Sequence, residues 1–298
     1  MTTQKILGTK VNTGLDKKNF MRLVVKGIDN PSSNYICTVN PEFIMRAKDE
    51  EEFRNAINNS YLSVPDGVGV LMAIKYLKDV ATKKGNFLYR VITHFFAGLS
   101  VGINSILRRD YLGERLAGSE LIYDILALAE EKGYSIFLLG GWEKTFFGKM
   151  KSESGQIARR TAERIQEMYP RLKIVGAESD FRFDEDSDNE SLNLIRESMS
   201  SQSLEQLDIL LTAFPFGEQE KWLARNLHNI PASLGIGVGA SFDFILGTQV
   251  SAPLFVKKLN LEWLFRLITQ PWRYRRVLAA FPVFPLSLFV SSVKKSSN

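Results

Sequence analysis

Six short apolar runs, residues 35–39, 61–64, 135–139, 172–175, 209–212 and 233–238, alternate with longer segments of helical character. Four of them stop abruptly, at Asn40-Pro41, at Pro65-Asp66-Gly67, at Gly140-Gly141 and at Gly237 with Gly239. Short runs interleaved with helix-length segments are what a mostly parallel sheet with crossover helices produces. The expected fold class is therefore α/β. In such sheets ligands bind outside the carboxyl ends of the strands. Polar residues and glycines at the run ends are thus candidate site residues before any motif is considered.

The intervening segments read as helices. Residues 42–58 place Phe43, Ala47, Phe53 and Ile57 as apolar positions of one helix. Ser119 is positioned to cap a helix through Leu121, Ile122, Ile125, Leu126 and Leu128 that ends at Gly133. Residues 156–169 form a polar amphipathic helix closed by Pro170, 184–190 an acidic surface loop and 198–203 a polar linker. The single cysteine, Cys37, excludes a disulfide framework or a multi-cysteine metal site, and two histidines, His94 and His228, argue against structural zinc. Residues 1–18 are polar with no apolar core segment, so no secretory signal is expected. A reducing, cytoplasmic compartment follows as the expectation.

Charge is unevenly placed. Residues 254–298 carry Lys257, Lys258, Arg266, Arg273, Arg275, Arg276, Lys294 and Lys295 against Glu262 alone, a local charge of +7 within a chain of net +5. The remainder, at −2, lacks the spread basic surface of a nucleic-acid binder. The tail instead calls for an anionic partner. Residues 253–276 read as one helix with Leu261, Leu264, Phe265, Ile268 and Trp272 on a single apolar face. Basic charge beside an aromatic-rich apolar face suits anionic lipid; a terminal helix docked on the body is the plainer alternative. Two uncharged runs, 91–107 and 277–293, are each seventeen residues long. The first contains Thr93, His94, Ser100, Asn104 and Ser105, and the second is interrupted by Pro282 and Pro285. Both fall short of the roughly 20 apolar residues of a spanning helix, and either suits an interface or a buried helix surface.

Asp66, on a strand-end turn before Gly67 and Gly69, is a candidate general base. Glycines there let a substrate approach the backbone, and the helix that follows aims N–H groups at the same place. An ordinary Asp-Gly turn is the alternative. Thr38 and Asn40 end the neighbouring run, a helix cap being the plainer reading of Asn40 on propensity alone. Gly140-Gly141-Trp142 offers a close-approach loop with an aromatic for a base or sugar. Gln219 and Glu220, in a first helical turn, are candidate ligands for sugar hydroxyls. Residues 235–240 match the dinucleotide fingerprint in form, but no βαβ unit follows them, so a nicotinamide or flavin site is not expected.

The order of these motifs resembles a known family. Thr38-Val39-Asn40-Pro41-Glu42, Pro65-Asp66-Gly67-Val68-Gly69, Glu114-Arg115-Leu116-Ala117-Gly118-Ser119, Phe137-Leu138-Leu139-Gly140-Gly141, Gln219-Glu220-Lys221-Trp222, Gly237-Val238-Gly239-Ala240-Ser241-Phe242-Asp243-Phe244 and Leu261-Glu262-Trp263-Leu264-Phe265-Arg266-Leu267 look like the WecG/TagA/CpsF family, glycosyltransferase family 26. The resemblance implies a Rossmann-like sheet of GT-E type over residues 1–250, with an insertion at about 78–112, and a basic amphipathic appendage over 251–298. It implies an inverting, metal-independent enzyme without a cofactor, peripheral on the cytoplasmic face of the membrane. Such an enzyme moves N-acetylmannosamine or a related sugar from a UDP-sugar to undecaprenyl-diphosphate-linked N-acetylglucosamine for teichoic acid, common antigen or capsule; homo-oligomers are compatible with it.

Carried over by position, the resemblance makes Asp66 the catalytic base, flanked by Thr38 and Asn40. Arg115 and Gln219 would contact donor or acceptor, and Arg266, Arg273 and Arg276 the diphosphate. Gly140, Gly141, Glu220, Gly237, Gly239 and Asp243 complete the implied substrate-binding set. A tail that supplies arginine would tie catalysis to membrane docking. The chain departs from the family pattern in about 30 extra residues before Arg115. It also carries Phe216-Gly217-Glu218-Gln219-Glu220 where Pro-Lys-Gln-Glu is usual, and Ser251-Ala252-Pro253 where Arg-Ala-Pro is usual. A glucosyl- or galactosyltransferase on the same scaffold, or a non-catalytic membrane-associated relative, are the alternatives.

Overall fold

The computed structural model describes residues 1–30, 32–108, 110–143, 149, 151, 154–181, 185–215, 217–249, 252–253, 256 and 261–295. It opens with an antiparallel hairpin, β1 (Thr2–Ile6) and β2 (Thr9–Thr13), turned at Leu7 and Gly8, whose φ angles are 48° and 90°. Two successive positive-φ residues are the geometry that joins twisted strands through a two-residue loop. Sequence reading names no strand here; the hairpin is an addition to it, anchored by Ile6 and Val11, both fully buried. Polar side chains hold it in place: Asn58 Oδ1 accepts from Lys10 N at 2.7 Å, and Asn12 Oδ1 from Ser63 N at 2.7 Å.

The chain continues through α1 (Lys17–Asp29), β3 (Asn34–Val39), α2 (Pro41–Asp49), α3 (Glu51–Asn59), β4 (Leu62–Pro65), α4 (Val68–Val80), α5 (Phe87–Leu107) and α6 (Gly118–Lys132). The single helix expected over 42–58 is two. Glu50 breaks it with φ −114° and ψ 106°, its carboxylate held by Arg46 at 2.5 Å and by Lys221 at 3.1 Å. The bend brings Phe53 edge-on to Phe43, ring centroids 5.1 Å apart, so both helices fill one core.

Next come β5 (Ser135–Gly140), α7 (Ile157–Met168), β6 (Lys173–Glu178), α8 (Asp188–Ser201), β7 (Leu207–Ala213), α9 (Glu218–Asn226), β8 (Ala232–Gly237) and the short α10 (Ser241–Ile245). All six expected strands are present. The acidic loop and the polar linker are not loops throughout: Asp188 and Glu190 sit in the first turn of α8, where negative charge is favoured, and α8 runs on to Ser201 with Met199 buried. Residue 184 lies outside the described residues.

The six strands form one parallel sheet in the order β4-β3-β8-β7-β5-β6. Every residue of β5 and β8 is buried, as expected for strands covered on both faces. Alternation divides the core in two. Phe137, Leu139 and Leu210 face Phe43, Phe53 and Trp222 on one side. Ile136, Leu138 and Leu211 face Phe20, Ile122 and Ile165 on the other.

Trp222 of α9 is wholly buried, edge-on to Phe214 at 5.7 Å, with its indole N–H donating to Ser191 Oγ at 3.0 Å. Trp222→Ala is expected to cost about 3–5 kcal/mol of unfolding free energy through the cavity it leaves. Urea denaturation measures this, and a loss below about 1 kcal/mol would mean that the site collapses around the gap.

The tail is not the single helix expected over 253–276. It comprises α11 (Glu262–Thr269), a turn Pro271–Arg273, α12 (Tyr274–Leu278) and α13 (Phe284–Lys295). Gln270, at φ −137° and ψ 66°, separates the first two pieces. The five apolar side chains therefore do not share a face: Ile268 is exposed, whereas Phe265 and Trp272 turn into a cleft. Lys257 and Lys258 lie outside the described residues. Phe281, at φ −157° and ψ 122°, breaks the run again before α13. By length and composition alone, both α5 and the segment Pro271–Lys294 are apolar enough to cross a membrane.

Candidate active site

A cleft of about 950 Å³ opens at the carboxyl ends of β3, β4, β5, β7 and β8, with α11 and the Pro271–Arg273 turn over it. Asp66 follows β4 directly. Its N–H donates to Val39 O at 2.8 Å, extending the pairing with β3, and Gly67 then turns the chain into α4 at φ 83°, a conformation that favours glycine. The Asp66 carboxylate accepts from the backbone N–H of Gly118, the first residue of α6. Ser119 was expected to cap this helix, but it lies inside it, and α6 has no side-chain cap of its own sequence. A carboxylate from a neighbouring strand end takes that place, where helix N–H groups favour negative charge.

Burial pushes the Asp66 pKa up; Arg266, Arg115 and the Gly118 N–H pull it down, and Glu262 raises it again. Burial prevails, leaving the carboxyl above its ordinary range. Thr38 and Asn40 line the cleft beside it. Asn40 Oδ1 is committed to capping α2 by accepting from Phe43 N at 2.9 Å, so the amide nitrogen is what it can offer a ligand. Gly67 and Gly69 are not cleft walls among the described residues. A Cβ on Gly69 would sit 2.8 Å from Pro41 Cγ, so that glycine serves packing of the two strand-end loops rather than substrate approach.

Five arginines line the cleft: Arg160 pairs with Glu143 at 3.3 Å, and the other four are those the resemblance assigns to substrate. Arg115, which precedes α6, pairs with Glu262 of α11, and its Nε is buried without a partner among the described residues. Arg276 pairs with Glu42 of α2 at 2.6 Å. Each pair ties the tail to the body. Arg266 and Arg273 make no ion pair among the described residues. Arg273 is the less exposed of the two: desolvation, then Arg276 and Arg266, push its pKa down to about 10, against the pull of Glu42 and Asp243. A desolvated guanidinium among like charges needs an anion.

Of the further residues that the resemblance assigns to substrate, Gly141, Gly237, Gly239, Gln219 and Asp243 line the cleft, and Gly140 and Glu220 do not. Gly140, at φ 98°, faces Phe214 and the Ala213 carbonyl, either of which a Cβ would meet within 2.8 Å. Its role is to let β5 end against β7. Trp142 also lines the cleft, edge-on to Phe181 at 5.5 Å. Gln219 Oε1 accepts from Gly239 N at 2.9 Å, while its Nε2 donates to Glu220 Oε1 at 2.7 Å. Glu220 thus positions Gln219 from beneath the cleft instead of reaching a ligand, because neighbouring helix residues point in different directions.

Glu220 is fully buried, its Oε2 has no partner among the described residues, and burial pushes its pKa up to about 7. A carboxyl raised on folding keeps its proton better in the native state than in the unfolded chain, so stability is full below about pH 4.5 and is lost as pH rises through about 7. Glu220→Gln is expected to flatten that loss, which amounts to on the order of 3 kcal/mol between pH 5 and 9. Urea unfolding across that range checks it; parallel pH curves for both proteins would assign the loss to another group.

Sequence reading did not give Glu262, Glu42, Phe265 or the N-terminus of α6 a place here. Glu262 had one visible signal, as the lone acid of a basic tail. Among the described residues no three His, Cys, Asp or Glu side chains gather as a metal centre would need.

Comparison with known proteins supplies a context for this geometry. The glycosyl transferase WecG/TagA/CpsF family model matches residues 4–97 and 94–298, two stretches that meet within α5. An N-acetylglucosaminyldiphosphoundecaprenol N-acetyl-beta-D-mannosaminyltransferase of Bacillus subtilis strain 168 is 26% identical over 270 residues, 91% of this chain and 84% of that protein. Proteins of the same name from Bacillus spizizenii W23 and Staphylococcus aureus NCTC 8325 are 24% and 23% identical, over 85% and 86% of this chain and 77% and 80% of theirs. With nearly its whole length matched, the chain belongs to the WecG/TagA/CpsF family of glycosyltransferases.

Proposed function

We propose that this glycosyltransferase moves N-acetylmannosamine from a UDP-linked donor to N-acetylglucosamine on a polyprenyl diphosphate, inverting the anomeric carbon, at the cytoplasmic face of a membrane. The observation that carries the reading is the pairing of one partly desolvated carboxylate, Asp66, with the arginines 115, 266, 273 and 276 in a single cleft. The names of the relatives support the sugar and the lipid-linked acceptor.

In this reading Asp66 takes the proton of the acceptor hydroxyl as its oxygen attacks the anomeric carbon from the face opposite the diphosphate. The bond from that carbon to the UDP oxygen breaks, and UDP leaves with the electron pair. A raised pKa makes Asp66 a stronger base than an ordinary aspartate. The growing diphosphate charge is met by guanidinium groups already in place, which is why the reaction is proposed to need no divalent metal. Arg266 and Arg273, without ion pairs among the described residues, are the candidates for that contact.

The test is UDP release and product mass from UDP-N-acetylmannosamine and a short-chain lipid-diphosphate N-acetylglucosamine, in EDTA. Acceptor-dependent UDP release with a matching disaccharide-lipid of inverted configuration supports the reading. Release with another UDP-sugar only would retain the chemistry and replace the donor. None with any UDP-sugar, with or without added magnesium, would overturn it.

A further inference from the structure

α5 is built inside out for a helix in water. Its inward side carries Arg90, His94, Ala97, Val101 and Ser105, all buried. Its outward side carries Phe95, Phe96, Leu99, Ile103, Ile106 and Leu107, all 47–75% exposed. A water-facing helix turns its apolar stripe to the core and its polar residues outward. Small and polar side chains at helix–helix contacts, with large apolar ones outside, is the arrangement of helices solvated by lipid.

The inward polar groups are joined across three helices. Ser292 Oγ of α13 lies 2.7 Å from Tyr76 Oη of α4 and 3.0 Å from His94 Nδ1 of α5. A Cβ added at Gly98 would lie 3.8 Å from the Tyr76 ring, so this side of α5 faces α4. α5 and α13 are therefore fixed side by side on the body. α13 is apolar on both sides: Phe284 and Leu288 are buried against the core, while Leu286 and Val290 are 59% and 47% exposed. Both neighbouring helices thus turn large apolar side chains outward, as does Phe281 just before α13. Large apolar side chains clustered on the outside of two packed helices mark an interaction site.

We propose that α5 and α13 together form a wedge embedded in one leaflet of the bilayer, its occupant being the acyl chains of anionic lipid. Charge at the edges of the surface selects that occupant. Exposed Lys84 precedes α5, exposed Arg108 ends it, and exposed Arg275 and Lys294 bracket the tail. Between Phe87 and Leu107 the only charged side chain, Arg90, is turned inward. An apolar face rimmed by lysine and arginine fits hydrocarbon below and anionic headgroups around. α5 does not cross the membrane in this arrangement, because its inner side is packed on α4 and α13 along its length. This wedge deepens the proposed membrane location. It also orients the cleft: only a few residues separate Arg276 at the cleft from Phe284 on α13, so insertion holds the arginine rim at headgroup depth, where a lipid-linked diphosphate lies.

The test labels single cysteines with an environment-sensitive dye in the full chain, Cys37 having been replaced by serine. Phe96→Cys, Ile103→Cys and Leu286→Cys are expected to blue-shift and gain intensity on vesicles of phosphatidylglycerol and phosphatidylethanolamine, and to be quenched by acyl-chain nitroxides. Lys132→Cys, at the far end of α6, should not respond. Phe96→Glu/Leu99→Glu, both outward and so compatible with folding, is expected to weaken vesicle binding at least tenfold while the circular dichroism is retained. Dye responses absent at 96 and 103 in vesicle-bound protein would overturn the wedge. So would a soluble dimer that Phe96→Glu/Leu99→Glu dissociates without loss of vesicle binding, since the face would then cover a second copy. Donor hydrolysis by the unlabelled protein, followed separately, reports on the sugar-transfer reading, so failure of one is not failure of the other.

Discussion

Asp66→Asn is expected to lower turnover by about 10²–10⁴-fold, the usual contribution of a positioned general base. The substitution keeps size and shape, and an asparagine carbonyl still accepts from the Gly118 N–H, so α6 keeps its partner. What is removed is the group that takes the proton. The pH dependence gives a second readout. A base works only when ionised, so kcat in the wild type rises with pH through the Asp66 pKa, which burial holds above the ordinary aspartate range. Asp66→Asn lacks that limb.

Stability moves the other way. Because folding raises this carboxyl's pKa, ionising it costs native-state free energy above that pKa, and the neutral amide avoids the cost. The variant should melt no lower than the wild type at pH 8. Loss of activity without loss of melting temperature separates a base from a structural residue. Turnover within about threefold of wild type would remove Asp66 from the mechanism.

The sheet was readable because each strand is a nearly unbroken apolar run that ends in a residue unable to extend it. Asn40-Pro41, Pro65-Asp66-Gly67 and Gly140-Gly141 mark chain ends of β3, β4 and β5 whatever surrounds them. Since a parallel sheet gathers such ends on one edge, Thr38, Asn40, Asp66, Gly141 and Gly237 were legible as cleft residues too. The hairpin was not, since β1 and β2 are mostly threonine, lysine and asparagine with only Ile6 and Val11 fully buried among the apolar side chains. The break at Glu50 depends on Lys221, 171 positions away, and no local pattern carries it. Gly140 and Glu220 shared motifs with true cleft residues, yet one packs on Phe214 and the other sits beneath Gln219. The run within α5 was visible as uncharged, but which side faced outward depended on Tyr76 and Ser292.

Arg273→Ala is expected to lower kcat by about 10²–10³-fold, the scale seen when one preorganised donor to a developing negative charge is removed. The reasoning starts from its surroundings. Arg276 is neutralised by Glu42 and Arg115 by Glu262, whereas Arg273 makes no ion pair among the described residues and has its pKa pushed down to about 10, chiefly by desolvation. A guanidinium held this way destabilises the empty protein: its pKa is lower folded than unfolded, so the charged form that prevails at neutral pH folds less favourably. An anion bound against it offsets that cost, and more strongly where water is excluded. UDP or pyrophosphate should therefore raise the wild-type melting temperature, by linkage worth about 2.7 kcal/mol at a hundred times Kd. In Arg273→Ala the shift should shrink while the unliganded protein melts at the same temperature or higher. Arg273→Lys retains the charge but not the planar fork that grips two phosphate oxygens, so it should recover only part of the activity. A ligand-induced shift in Arg273→Ala equal to that of wild type would show that the diphosphate is held elsewhere. Arg266, the other cleft arginine without an ion pair among the described residues, would then be the residue to replace.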